Sequence, residues 1–281
     1  MPTTSNVEWD PGLAAYKGPD TTAYVSAAAA AATACASCRK PVSAQVPLSL
    51  AVDVTGATDE DGIEYFAFDA EICHRACREP SLTFTPGHTA PVEFTPRAAR
   101  LVLEDRAVRT TTAGLVFTYL PMLSFREPGG ELTSALVTAL LSQGFQLAMS
   151  ADVGEILRDS GQTADDFNGV VTAEGLLTLH AGEATMYREQ LDLADPEDAT
   201  WLDVARNGSL LVIGGDNLIF NGTGSLDLNT AALLGTLVAG KVAVSLLQAE
   251  PTRGESGPAQ CADDAPRSAA EAHGVKWENR P

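Results

Sequence analysis

Four of the five cysteines fall between residues 35 and 77, as Cys35-Ala36-Ser37-Cys38 and Cys73-His74-Arg75-Ala76-Cys77. Two thiol pairs with a histidine inside the second supply the soft thiolates and imidazole that a tetrahedral Zn²⁺ takes as ligands. In the second cluster His74 and Cys77 stand three residues apart, and Cys73 and Cys77 stand four apart. Either spacing brings two side chains to one side of a turn. The preferred ligand set is therefore Cys35, Cys38, His74 and Cys77, with Cys73 as an alternative to His74. Four good ligands leave no open coordination position, so the zinc is expected to be structural rather than catalytic.

Other chemistry has weaker support. The His-x-Glu and Pro-Cys-x-x-Cys pattern of zinc deaminases is missing, because Cys35 follows Ala34 and His74 is followed by Arg75 and Ala76. His180 and His88 adjoin turn sequences, where a solvated or backbone-bonded imidazole is the ordinary outcome. No Gly-x-Ser-x-Gly elbow occurs. Gly214-Gly215-Asp216 and Gly222-Thr223-Gly224-Ser225 match neither a phosphate-binding loop nor a dinucleotide fingerprint, and tight turns account for them. The acidic series Asp192, Asp195, Glu197, Asp198 and Asp203 lacks calcium-loop spacing and reads as a helix cap and a solvated face.

The metal ligands need elements to hold them. Residues 46–54 and 63–70 alternate apolar with polar or small residues and read as two strands. The turn sequence 55–62 between them makes a hairpin that returns the second ligand pair to the first. Short apolar runs at 81–85 and 91–94 suggest a second hairpin or an extended edge. Thr95-Pro96 predicts a capped helix over 96–106. Residues 115–125 read as a strand that Pro121 bends or confines to an edge. Helices are expected over 131–143, ended by Gly144, and over 152–158, 196–206 and 230–238. Strands are expected at 145–149, 170–179, 183–193, 209–213, 217–220 and 242–247, with residues 173–175 interrupting the strand at 170–179.

The knuckle Cys35-x-x-Cys38, the hairpin between Leu48 and Phe68 and the pair His74-x-x-Cys77 together resemble a treble-clef or LIM-type half module. That resemblance spans about 45 residues and implies a closed structural zinc. Pro80 limits the terminal helix of such a module to one turn. The fold class that follows is α+β: an N-terminal zinc-stabilised β-hairpin module, then a mixed α/β domain with largely antiparallel strands. The expected divisions are a flexible Ala-rich arm over 1–34, the zinc module over 35–95, the α+β domain over 96–248 and a disordered acidic tail over 249–281.

A chain of 281 residues with 45% hydrophobic content can bury a core without disulfides. It contains no run of about 18 apolar residues that would span a membrane. Cys-x-x-Cys spacing fits a metal site in a reducing cytoplasm better than a disulfide scaffold. The stretch before Cys35 carries Glu8, Asp10 and Asp20 against Lys17 and lacks the basic start of a lipoprotein signal. The net charge of −19 repels polyanions and argues against nucleic acid as a partner. The 14 arginines against 4 lysines, with abundant Ala and Gly, fit a high-GC bacterial source.

These features point to a non-catalytic zinc-binding protein of the cytoplasm that acts through a protein partner or self-association. One alternative is a hydrolase-like enzyme with its site in the C-terminal domain, using His180 with Asp216 or Glu183. Another is a nucleic-acid-associated zinc protein reading through Arg39, Arg75 and Arg78.

Overall fold

The computed structural model describes residues 3–4, 6–87, 95–105, 110–220 and 226–247. His88, the 91–94 run, Arg106, Arg109, residues 221–225, Cys261 and the 249–281 tail lie outside the described residues.

The chain begins with β1 (Thr3–Thr4) and β2 (Val7–Glu8), the helices α1 (Ala14–Lys17) and α2 (Thr21–Ala31), then β3 (Leu48–Thr58), β4 (Glu64–His74) and β5 (Ser81–Pro86). It continues through β6 (Thr95–Asp105), β7 (Thr110–Leu120), β8 (Met122–Arg126), β9 (Thr133–Ser134), α3 (Ala135–Ser142), β10 (Gln146–Leu147) and α4 (Val153–Asp159). The remainder is β11 (Phe167–Thr172), β12 (Leu176–Ala181), β13 (Ala184–Gln190), α5 (Pro196–Ala205), β14 (Ser209–Gly215), β15 (Ile219–Phe220), β16 (Leu226–Asp227), α6 (Asn229–Leu233) and β17 (Leu237–Leu247). The class is α+β or mostly β, with strand dominating.

Two mixed sheets organise these elements. The first has the order β1-β2-β3-β4-β8-β9, with β5 also on β3, and the second runs β13-β12-β11-β17-β14-β7-β6, with β10 on β17. The first is built on the β3–β4 hairpin, which pairs antiparallel from Leu48↔His74 to Thr58↔Glu64. Asp59 closes its turn by accepting the amide N–H of Asp61 and Ile63 on Oδ1, an Asx turn.

The N-terminal segment corrects the expectation of a flexible arm. Trp9, Leu13, Tyr24 and Val25 are buried against Leu50, Val52, Phe66, Phe68 and Ile72 of the first sheet. These apolar side chains are irregularly spaced, so no periodicity announces them, yet together they cover the face that the hairpin leaves bare.

The helix expected over 96–106 is likewise corrected: residues 96–105 lie in the strand β6. Thr95 and Pro96 satisfy helix-capping chemistry, but β6 pairs with β7 along its whole length, Thr95↔Leu120 to Asp105↔Thr110. Proline is tolerated there because, among the described residues, β6 is an edge strand paired only with β7. Pro121 stands where the chain leaves the second sheet after β7 and enters the first as β8. Hence the first sheet takes strands from both sides of residue 96, and its division from the second is not a cut in the sequence.

The second sheet is covered on both faces. Leu210 and Val212 of β14 point into a core with Trp201, Leu202, Leu140 and Phe117, whereas Leu211 and Ile213 point into another with Leu157, Leu228 and Ala231. Two buried faces explain an unbroken apolar strand where a half-exposed one would alternate. Trp201 also fastens α5 to β7, its indole N–H donating to the Gly114 carbonyl at 2.8 Å. Residues 230–238, expected as one helix, divide into α6 and the start of β17, because Gly235 takes a positive φ of 66° and ends the helix. No helix among the described residues is long and apolar enough to cross a membrane.

At the end of β14 glycine is required by close approach. A Cβ at Gly215 would lie 2.3 Å from the Thr236 carbonyl oxygen, a backbone atom that cannot swing away. Gly215→Ala is therefore expected to destabilise the chain by about 3 kcal/mol through overpacking. The midpoint of urea denaturation measures it, and an unchanged midpoint would refute the contact.

Candidate metal centre

The knuckle that carries Cys35 and Cys38 is held by its backbone. Arg39 N–H donates to the Cys35 carbonyl and Cys35 N–H to the Lys40 carbonyl, each at 2.8 Å, while Ala36 N–H donates to Ile72 of β4 at 3.0 Å. The last of these bonds lays the knuckle against the end of the hairpin. On the other side, β4 ends at His74 and turns, with Cys77 N–H donating to the His74 carbonyl at 2.8 Å. No helix follows this turn, a departure from the treble-clef resemblance beyond the one-turn limit expected from Pro80.

The sulfurs of Cys35, Cys38 and Cys77 and a ring nitrogen of His74 all lie within 4.8 Å of one another. His74 presents Nδ1 to the thiols, 3.3 Å from Cys38 Sγ and 4.0 Å from Cys77 Sγ. Its Nε2 lies 3.2 Å from the Pro41 carbonyl oxygen, an acceptor that fixes the proton on Nε2 and leaves the Nδ1 lone pair for a metal. Such a group can bind a metal ion.

The three thiols differ in environment. Cys35 is fully buried, and its sulfur accepts the amide N–H of Cys38 at 3.5 Å and of His74 at 3.3 Å. Burial pushes this thiol up, but amide donors from Cys38, His74 and Ser37 outweigh it and bring it down to about 6. Cys77 is pushed up to about 11, first by hydrogen bonding with Cys38 and then by burial. Cys38 and Cys77 reach the surface. A metal would displace the remaining thiol protons, so its binding strengthens as pH rises.

Cys73 stands outside the four-donor group. It is fully buried in β4 opposite Ser49, and burial, followed by the neighbouring Cys35 among opposing and reinforcing influences, holds its thiol above the ordinary value. Its sulfur nevertheless meets the knuckle, in hydrogen-bond contact with the Ser37 amide and the Cys35 thiol.

Arg39, next to the second knuckle cysteine, has a positive φ of 61° and an exposed side chain. A non-glycine residue pays roughly 1 kcal/mol in this region. Arg39→Gly is expected to raise stability by about 0.5–1 kcal/mol, after the extra freedom that glycine gives the unfolded chain. Chemical denaturation at fixed metal reads it, and a loss of stability would show that the arginine side chain holds the knuckle.

The other flanking arginines are matched by acids. Arg75 pairs with Glu8 of β2 at 2.9 Å and with Glu79, and Arg78 pairs with Glu71. The Arg75–Glu8 pair ties the ligand turn to the N-terminal strand.

The enzyme alternative placed His180 with Asp216 or Glu183, and the first of these pairs is not brought together. His180 lies on β12 and lines up through Asn168 and Ala243 with Ser209, the first residue of β14. Asp216 follows the far end of that strand. The two stand three strand spacings apart, roughly 14 Å, and are displaced along the strands by roughly 23 Å. Asp216 is instead buried, facing Lys17 of α1. The Lys17 ammonium lies 3.6 Å from the Phe68 ring centroid, 4.8 Å from that of Tyr24 and 3.3 Å from Met122 Sδ. Beside Asp216, Asn217 is buried with a positive φ of 58°. This polar junction between the two sheets has no motif; its only sequence signal was the Gly214-Gly215-Asp216 turn.

Fold and centre together define the chain as a strand-rich protein of mixed sheets with a Cys₃His cluster that could hold a metal. No protein family, no curated protein and no solved structure matches it significantly.

Proposed function

We propose that the centre holds one Zn²⁺ as a structural ion and that the protein acts without catalysis, through contacts with a protein partner or a second copy of itself. The observation that carries the zinc reading is the donor set: three thiolates and an imidazole Nδ1, with Nε2 engaged by the Pro41 carbonyl. Soft sulfur ligands in a four-donor group favour zinc over the oxygen-seeking divalent ions. When bound, zinc cross-links the knuckle to the end of the β3–β4 hairpin. Cys35 and His74 anchor it from the folded side, and Cys38 and Cys77 close it from solvent. A reducing compartment such as the cytoplasm keeps those thiols available.

Protein contact is supported by the edge of the first sheet. β5 pairs with β3 and has no other partner strand among the described residues, and its Phe84 is 48% exposed. Unpaired apolar edges are places where another chain can add.

Elemental mass spectrometry on protein purified without chelator tests the metal, with one zinc per chain expected. Sedimentation velocity over a range of concentrations and affinity capture from the native host test the contacts. A defined oligomer or a stoichiometric complex is expected; a monomer that recovers no partner would refute this part of the reading.

A further inference from the structure

We propose that the centre is also a peroxide-sensitive latch, in which Cys38 and Cys77 are oxidised to a disulfide and the metal is released while Cys35 stays reduced. This rests on the zinc reading above. Its basis is the unequal shielding of the three sulfurs. Cys35 is inaccessible and its sulfur is drained of charge by two amide donors, both of which slow attack on an oxidant. Cys38 and Cys77 reach the surface, and each sulfur also faces His74 Nδ1. Their sulfurs already lie within 4.8 Å of each other.

The chemistry balances with a hydroperoxide as the oxidant. One surface thiolate attacks a peroxide oxygen, forming an S–O bond as the O–O bond breaks and hydroxide (or alkoxide) leaves. The second thiolate attacks the resulting sulfenic sulfur, forming the S–S bond and expelling a second hydroxide. Two thiolates are oxidised by two electrons in total, and the peroxide is reduced. Cys35 and His74 are then the remaining donors, too few to retain zinc against solvent. The new bond joins the same two segments that the metal joined, so the knuckle stays attached and a thiol reductant can reset the site.

The test uses the full chain loaded with zinc and exposed to hydrogen peroxide, with a colorimetric zinc indicator and non-reducing peptide mapping. The expected result is loss of the bound zinc, a mass decrease of ~2 Da, a Cys38–Cys77 linked peptide, and recovery of zinc binding after dithiothreitol. Cys73→Ser, which keeps all four donors, is expected to release zinc to the same extent. A disulfide containing Cys35 or Cys73, zinc release with only sulfinic acids formed, or zinc retained under peroxide would overturn the latch and leave the zinc reading standing. A chain that takes up no zinc before peroxide is added would overturn both.

Discussion

Cys35→Ser is expected to lose the metal and about 4 kcal/mol of stability, the contribution of a site held at a thousandfold excess of ligand over its Kd. For a chain of this size that is roughly 10 °C in Tm. The reason is specific to the position. Cys35 is the donor set into the fold, with its sulfur fixed by the amides of Cys38 and His74. A serine hydroxyl is harder and stays protonated, so it cannot replace a thiolate on zinc. Cys73→Ser should retain the metal, since Cys73 lies outside the cluster. A chelator titration of the wild-type chain should reproduce the Cys35→Ser melting temperature. If the variant melts low but chelator leaves the wild type unchanged, the cysteine matters for packing and not for a metal.

The second large effect is expected where the two sheets meet. Asp216→Asn leaves the Lys17 ammonium among Phe68, Tyr24 and Met122 with Asp20 as its remaining acidic neighbour, and should cost about 3 kcal/mol. The double variant Lys17→Met with Asp216→Asn removes both charges and should recover most of the loss. Additive losses in the two single variants and the double would contradict a coupled pair.

The same lysine gives a pH signature. Burial lowers its pKa to about 8 from 10.5, with Asp216 and Asp20 opposing the shift. Between those values the unfolded chain binds a proton that the folded chain has released, so this group adds stability as pH rises from 8 toward 10.5. Below pH 8 both states are charged and its contribution is constant. Relative to Lys17→Met, the wild type should gain about 2 kcal/mol between pH 7.5 and 10. A flat difference would show that the ammonium is solvated.

The four-donor cluster was legible because coordination chemistry restricts both residue type and spacing. Cys35-x-x-Cys38 and His74-x-x-Cys77 could be read without knowing the fold. The placing of Cys73 could not, because it depends on how the end of β4 meets the knuckle, and β4 continues through His74 where a helical turn was equally compatible with the sequence. The β3–β4 hairpin, α3, α4 and α5 follow from local pattern and caps: Ser134, Asp152 and Asp195 each accept an amide N–H at a helix start. Residues 95–105 were misleading because local capping chemistry favoured a helix while eleven residues of pairing with β7 favoured a strand, and the longer-range term won. The packing of Trp9 and Leu13, and the meeting of Lys17 with Asp216, depend on contacts across two sheets that no local pattern encodes.

X-ray absorption at the zinc edge on the metal-loaded chain shows whether Cys35, Cys38, His74 and Cys77 hold one zinc ion. The expected result is a shell of three sulfurs at about 2.3 Å and one nitrogen at about 2.0–2.1 Å, with the nitrogen lost in His74→Ala. A shell of four sulfurs would put Cys73 in place of His74, and a shell of oxygen and nitrogen alone would mean that these thiols are not the ligands.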